Sequence, residues 1–110
     1  MAKNDALVAV HITTKDEVEA RKLAGLLLEQ RKAACVNIVP RVSTLYRWQG
    51  KIECGTESLM IVKTKSSLLH DIIVLVKASH SYQVPEVIAL SIAGGSPDYL
   101  AWLEDELAGS

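Results

Sequence analysis

Residues 34–65 read ACVNIVPRVSTLYRWQGKIECGTESLMIVKTK, and the pair Gln49 and Gly50 near the middle decides how the chain folds. The runs on either side are rich in Val, Ile, Thr and Tyr, residue types that fit a pleated, half-buried surface. A two-residue connection containing Gly is what a tight hairpin favours, because Gly adopts a left-handed backbone without steric cost. The segment therefore reads as two long antiparallel strands whose opposed positions sum to 99, so that Cys35 faces Thr64 and Cys54 faces Leu45. The two thiols then lie roughly 33 Å apart along the ladder, outside disulfide reach, and are expected to be free. Pro40 has no N–H to donate in mid-strand, which predicts a bulge or bend there; Gly55 is read as a second irregularity that shifts the register.

The length of this hairpin carries a consequence. The strand from 34 to 48 spans roughly 50 Å, whereas a globule of this chain length has a diameter of about 34 Å. Unless it coils sharply, the far end projects, and that end carries Leu45, Tyr46, Trp48 and Ile52. An isolated two-stranded ribbon bearing such side chains is unstable and sticky, and burial against another subunit removes both problems. These four residues are the expected oligomer interface.

Outward from the hairpin, LVAVHIT at 7–13 is a strand, and Thr14 and Glu17 beyond it have capping-box spacing. The helix that follows repeats Ala20, Leu23, Ala24, Leu27 and Leu28 on its core face and places Glu17, Glu19, Arg21, Lys22 and Glu29 toward water. A second helix, capped by Ser66 or Ser67, uses Leu69, Ile72, Ile73 and Val76 and ends near Ser79. PEVIALSIA is a further strand. A last helix opens after the Gly94 and Gly95 turn at Ser96, with Pro97 in its first position and Leu100, Leu103 and Leu107 along its apolar edge. The order is that of an α+β, ferredoxin-like βαββαβ fold with a long hairpin between its second and third strands and an added C-terminal helix.

At 110 residues the chain is long enough for one domain, taken as 1–110. Lys and Arg number 12 against 13 Asp and Glu, so no basic surface recommends nucleic acid as a partner. The opening residues have neither a long apolar run nor a small-residue cleavage site, which predicts neither secretion nor a membrane span. Two cysteines are too few for a CxxC-type metal cluster or a secreted disulfide scaffold, and a cytoplasmic protein is expected. No P-loop, GxSxG, HExxH or Cys/His nucleophile pattern is present, so no catalytic residues and no enzyme activity are expected.

The stretch SHSYQVPE at 79–86 concentrates polar chemistry between apolar segments. His80, with a thiolate from Cys35 and a carboxylate such as Glu86, would give a mixed donor set suited to copper. The competing reading makes His80 a cap for the second helix, Tyr82 a packing residue, Glu86 an acceptor of backbone amides and Cys35 a small buried hydrophobe. Tyr82 and Lys63 are candidates for a ligand cleft; Lys63 and Glu57 could line an anion-binding cleft, with a solvated strand face as the competing reading. Cys54 is assigned to packing, and Tyr46, Trp48 and Trp102 to interface or core.

Taken together, ACVN at 34–37, LYRWQGKIECGTESLMIVKT at 45–64, HSYQVPEV at 80–87 and DYLAWL at 98–103 resemble the CutA family of divalent-cation tolerance proteins, in order and over nearly the whole chain. The resemblance implies a ferredoxin-like subunit in a tight homotrimer, similar to the PII signalling proteins, with interlocking hairpins. It further implies tolerance to copper and other divalent metals, copper binding in some members, and no established catalysis. The family pattern at the polar stretch is His, Pro, Tyr, two variable residues, Pro, Glu. Here Ser81 stands where Pro is usual, which removes one rigidifying ring. A trimeric scaffold acting through a protein partner is the other reading of the same surface.

Overall fold

A computed structural model describes residues 5–108. The elements are β1 (Leu7–Thr14), α1 (Glu17–Glu29), β2 (Cys35–Trp48), β3 (Lys51–Lys65), α2 (Leu69–Ser79), β4 (Val87–Ser91) and α3 (Pro97–Leu107), with one 3-10 turn, Ser66–Leu68, leading into α2. The strands form one sheet in the order β2-β3-β1-β4, antiparallel throughout, which is the expected ferredoxin-like arrangement.

Alternation along β1 sets the two faces of this sheet. Val8, Val10, Ile12 and Thr14 are buried, while the residues between them face the other way. Met60, Val62 and Thr64 of β3 share the buried face. Ala20, Leu23, Ala24 and Leu27 of α1, with Ile72 and Val76 of α2, complete one continuous core cluster. Leu28 is solvent-exposed and lies outside the core stripe expected for it.

The hairpin turns at Gln49 and Gly50, with φ of 50° and 80°, the left-handed pair that matches the twist of the flanking strands. Opposed positions sum to 99 from Trp48 and Lys51 to Val42 and Glu57, straight through the pair of Thr44 and Gly55. Gly55 therefore marks no irregularity. The register shifts once, between Val39 and Val42, at Pro40. Below that bulge Cys35 faces Lys63 rather than Thr64. The proline leaves a gap in the ladder, and its own carbonyl accepts a 2.8 Å hydrogen bond from the buried Ser58 hydroxyl. Both cysteines are free, as expected.

β1 pairs with β3 only from Ser58 to Lys65, so residues 51–57 pair with β2 alone and the ribbon leaves the globule. The molecule measures 45 × 25 × 24 Å. Leu45 and Ile52 are each 71% exposed and Trp48 is 58% exposed.

The helix starts are not where local spacing places them. Asp16, not Thr14, caps α1, its Oδ1 accepting the Glu19 N–H at 2.9 Å. Thr14 stays in the strand, and its hydroxyl donates to the Asp16 carbonyl. Neither Ser66 nor Ser67 caps α2. The Asp5 carboxylate, brought from before β1, instead holds the 3-10 turn that leads into α2, accepting the Ser67 N–H at 2.9 Å and its hydroxyl at 2.8 Å. Burial alone would raise the Asp5 carboxyl, but these bonds and the Lys65 ammonium outweigh it and hold it below its ordinary value. α3 begins after Ser96 with Pro97 in its first turn, as the sequence predicts, though the Ser96 side chain makes no capping bond. Trp102 stacks on Tyr99 at the surface, with ring centroids 5.7 Å apart, instead of entering the core.

Asp5→Ala is expected to lower unfolding stability by about 1 kcal/mol, the usual worth of a side-chain cap. Urea titration at neutral pH reads this directly, and an unchanged midpoint would show that the cap contributes nothing.

Candidate functional site

The 80–86 loop begins where α2 runs out. The His80 N–H still bonds the Val76 carbonyl at 2.8 Å, but its backbone is already extended. Its side chain is wholly buried. Nε2 lies 2.7 Å from the Thr13 carbonyl oxygen, and Nδ1 lies 3.0 Å from the Tyr82 N–H. A carbonyl can only accept and a backbone N–H can only donate, so the ring proton sits on Nε2 and the Nδ1 lone pair takes the Tyr82 N–H. The imidazole ties β1 to the loop, rather than capping α2 with its ring.

Beside it lies a carboxylate that helical periodicity assigns to solvent. Glu19 is only 9% exposed. Its Oε2 accepts the Ser81 N–H at 2.7 Å, and its Oε1 accepts the Ser81 hydroxyl at 3.0 Å and the Lys15 N–H at 3.2 Å. Burial alone would push this carboxyl up, but the two backbone donors and the Ser81 hydroxyl prevail and hold it below its ordinary value. Ser81 thus anchors the loop with two bonds that a proline at this position could not make.

Tyr82 projects the other way. Its hydroxyl donates to Glu57 Oε2 at 2.8 Å, and its ring lies 4.7 Å from that of His80. Burial first, and then the Glu57 hydrogen bond and charge, raise this phenol well above its ordinary value, so it stays a donor. The loop is thereby tied to β3 at the base of the ribbon. Between loop and ribbon opens a cleft of about 570 Å³, with Tyr82 and Glu86 on one side and Thr44, Tyr46, Trp48 and Glu57 on the other. That volume falls in the ordinary range for small-molecule sites.

Tyr82 and Glu86 therefore line a cleft, while His80 stands behind it. Cys35 does not reach it: it pairs across from Lys63, which pairs with Ala9, four residues along β1 from the Thr13 that holds His80, or roughly 13 Å away at strand rise. Lys63 lies beside Tyr99, its Nζ 3.5 Å from the hydroxyl and 5.6 Å from the ring centroid. The expected metal set of His80, Cys35 and Glu86 is not assembled within one chain, and among the described residues no group of three or more His, Cys, Asp or Glu could hold a metal ion. Local spacing does not bring Glu19, Ser81 or Trp48 to this site; Glu57, expected beside Lys63 in an anion-binding cleft or on a solvated strand face, lines this cleft without Lys63. Only Glu19 left a local signal, since Asp16 and Glu19 have capping-box spacing.

The model of the CutA1 divalent ion tolerance protein family matches residues 8–106. The divalent-cation tolerance protein CutA of Thermus thermophilus is 47% identical over 96 residues, 87% of this chain and 93% of that protein. The chloroplastic protein CutA of Arabidopsis thaliana is 45% identical over 98 residues, 89% of this chain and 54% of that protein. This chain thus spans about half the length of the plant and mouse relatives it matches. The crystal structure of CutA1 from Oryza sativa superposes with a TM-score of 0.91 at 42% identity, covering 96% of this chain and 97% of the other.

The Glu19 latch has a pH signature. A carboxyl lowered in the folded state contributes stability above its unfolded value, near 4.5, and loses it as pH falls through the folded value. Urea midpoints measured from pH 7 to pH 3 should therefore fall less steeply for Glu19→Gln than for the parent chain. Ser81→Pro, which removes both donors, should cost about 1–3 kcal/mol at pH 7 and flatten the acid slope as well. Identical slopes in all three proteins would discard the latch.

Proposed function

Because the chain belongs to the CutA1 divalent ion tolerance family, we propose that it serves divalent-cation tolerance as a PII-like homotrimer. In this reading it binds copper(II), another divalent metal or a small ligand at a cleft between subunits, and catalyses no reaction. The observation that carries the assembly is the ribbon: residues 51–57 have a strand partner on one side only, and Leu45, Tyr46, Trp48 and Ile52 stand in water at its end. A second and third copy would cover them and close the open side of the cleft.

Of the three expected metal ligands, Glu86 alone lines the cleft. Cys35 could join it only from another subunit, and His80 only after surrendering its bond to the Tyr82 N–H. Carboxylate oxygen from Glu86 and Glu57 is the donor set available without rearrangement, and it suits harder cations than copper. The saturated imidazole favours the second reading, a trimeric scaffold or signalling module whose loop is structural and whose surface meets a protein partner. We place the protein in the cytoplasm on its two free thiols; among the described residues no helix is long and apolar enough to cross a membrane.

Native mass spectra of metal-stripped protein titrated with copper(II) test assembly and loading together. The expected result is a trimer taking up metal in discrete steps, and Ile52→Asp is expected to shift the population toward monomer. A trimer that gathers only nonspecific adducts would transfer the proposal to the scaffold reading, and a stable monomer would end it.

A further inference from the structure

Helices α1 and α2 cover one face of the sheet. On the opposite face, His11 stands in a transverse row with Asn37, Ile61 and Ile88, one residue from each strand. Val39, Ile88 and Leu90 on this face are exposed, and His11 and Ile61 are half-buried. α3 reaches only a corner of it, where Tyr99 meets Lys63. A sheet face that leaves isoleucine and leucine in water is a surface for a partner. Alternation along β3 carries the same face into the ribbon, where Glu53 and Lys51 pair with Tyr46 and Trp48. It is therefore continuous with the surface assigned to contact between copies, and its occupant is a second copy.

The charged groups that share this face are turned elsewhere. On β3, Lys63 lies against Tyr99, Lys65 pairs with Asp5, and Glu57 accepts from Tyr82. Glu86, just before β4, lines the cleft. β2 adds only the Cys35 thiol, and β1 itself has no other titratable group from Leu7 to Thr13. Among the described residues no carboxylate forms an ion pair with His11.

Building on the reading of this protein as a homotrimer, we infer that His11 makes the assembly proton-sensitive. The neutral ring packs between sheet faces, and its protonation drives the copies apart. Imidazole changes charge between pH 5 and 8, and a charge placed among isoleucines loses its water on contact with no carboxylate to offset the loss. Every copy carries the same ring, so the cost recurs in each subunit. Association is therefore strongest where imidazole is neutral and weakens as pH falls. Each proton excluded on assembly weakens association about tenfold per pH unit, and a trimer that excludes one per subunit about a thousandfold.

The test measures the midpoint of urea-induced dissociation by sedimentation velocity at pH 8, 7, 6 and 5. This window lies above the range in which Glu19 titrates. Urea keeps the readout sensitive should the assembly be too tight to dissociate by dilution. The expected midpoint falls steeply with pH in the parent protein and stays level in His11→Leu and in His11→Gln. His11→Gln keeps a neutral polar group and serves should the leucine variant fold poorly. Parallel pH profiles in the parent and in these variants, whether level or falling, would overturn the inference and leave the homotrimer reading standing. A parent chain that is monomeric at pH 8 without urea would end both.

Discussion

A mismatch in strand length governs this molecule. β3 has fifteen residues, and β1 has eight with which to pair it. Beyond Ser58 the sheet has no third strand to offer, and β2 and β3 continue as a ribbon. The bulge at Pro40 lies at that exit, opposite Ser58, whose buried hydroxyl accommodates the freed carbonyl. A bulge increases local twist, so the place where the sheet ends is also where the ribbon can change direction. Everything distinctive about the surface follows: the exposed aromatics, the extended shape, and a concave angle between ribbon and globule.

That angle becomes a cleft only because the 80–86 loop is held against it. The loop is fixed from both sides by groups of opposite behaviour. Behind it, Glu19 accepts from Ser81 and Lys15, and His80 bonds the β1 carbonyl and the Tyr82 N–H, which consumes their polar atoms within the protein. In front, Tyr82 donates to Glu57, and both residues line the cleft. Among the described residues no buried side-chain polar atom lacks a partner. A buried carboxylate with three donors is tolerable where a bare one would not be, and removal of any donor exposes the desolvation cost of the rest.

The architecture was legible because its signals are local and periodic. Gln49 and Gly50 locate the hairpin, and counting outward from them gives the correct partner for every residue as far as Val42. Pro40 announces its own bulge, but the size of the register shift depends on how Ser58 answers it. Gly55 illustrates the opposite error, a permissive residue that simply occupies a regular ladder position. The caps were misplaced because a side chain brought by tertiary folding can take over the task, as Asp5 does for the turn before α2. Glu19 escaped for the same reason: its partner Ser81 is 62 positions away, and helical periodicity sees a glutamate among charged neighbours. The cleft itself was half legible, Tyr82 and Glu86 being visible in their motif while Glu57 and Trp48 reach it only through the ribbon's path.

Ser81 shows how the rigidity of a loop can be supplied from outside the loop. A proline there would restrict the unfolded chain, an effect of about 0.4–1 kcal/mol where the native backbone accepts it. Serine forgoes that gain but supplies an N–H and a hydroxyl to a buried carboxylate, and hydrogen bonds to charged groups contribute about 1.5–3 kcal/mol each. The balance favours serine only while Glu19 is present and ionised. With a neutral apolar residue at position 19 the two donors of Ser81 would lose their acceptor, and proline would become the better choice. Rigidity of the loop in this chain is therefore a property of the pair Glu19 and Ser81, held in one hydrogen-bonded unit across α1 and the end of α2, and it cannot be assigned to the loop's own sequence.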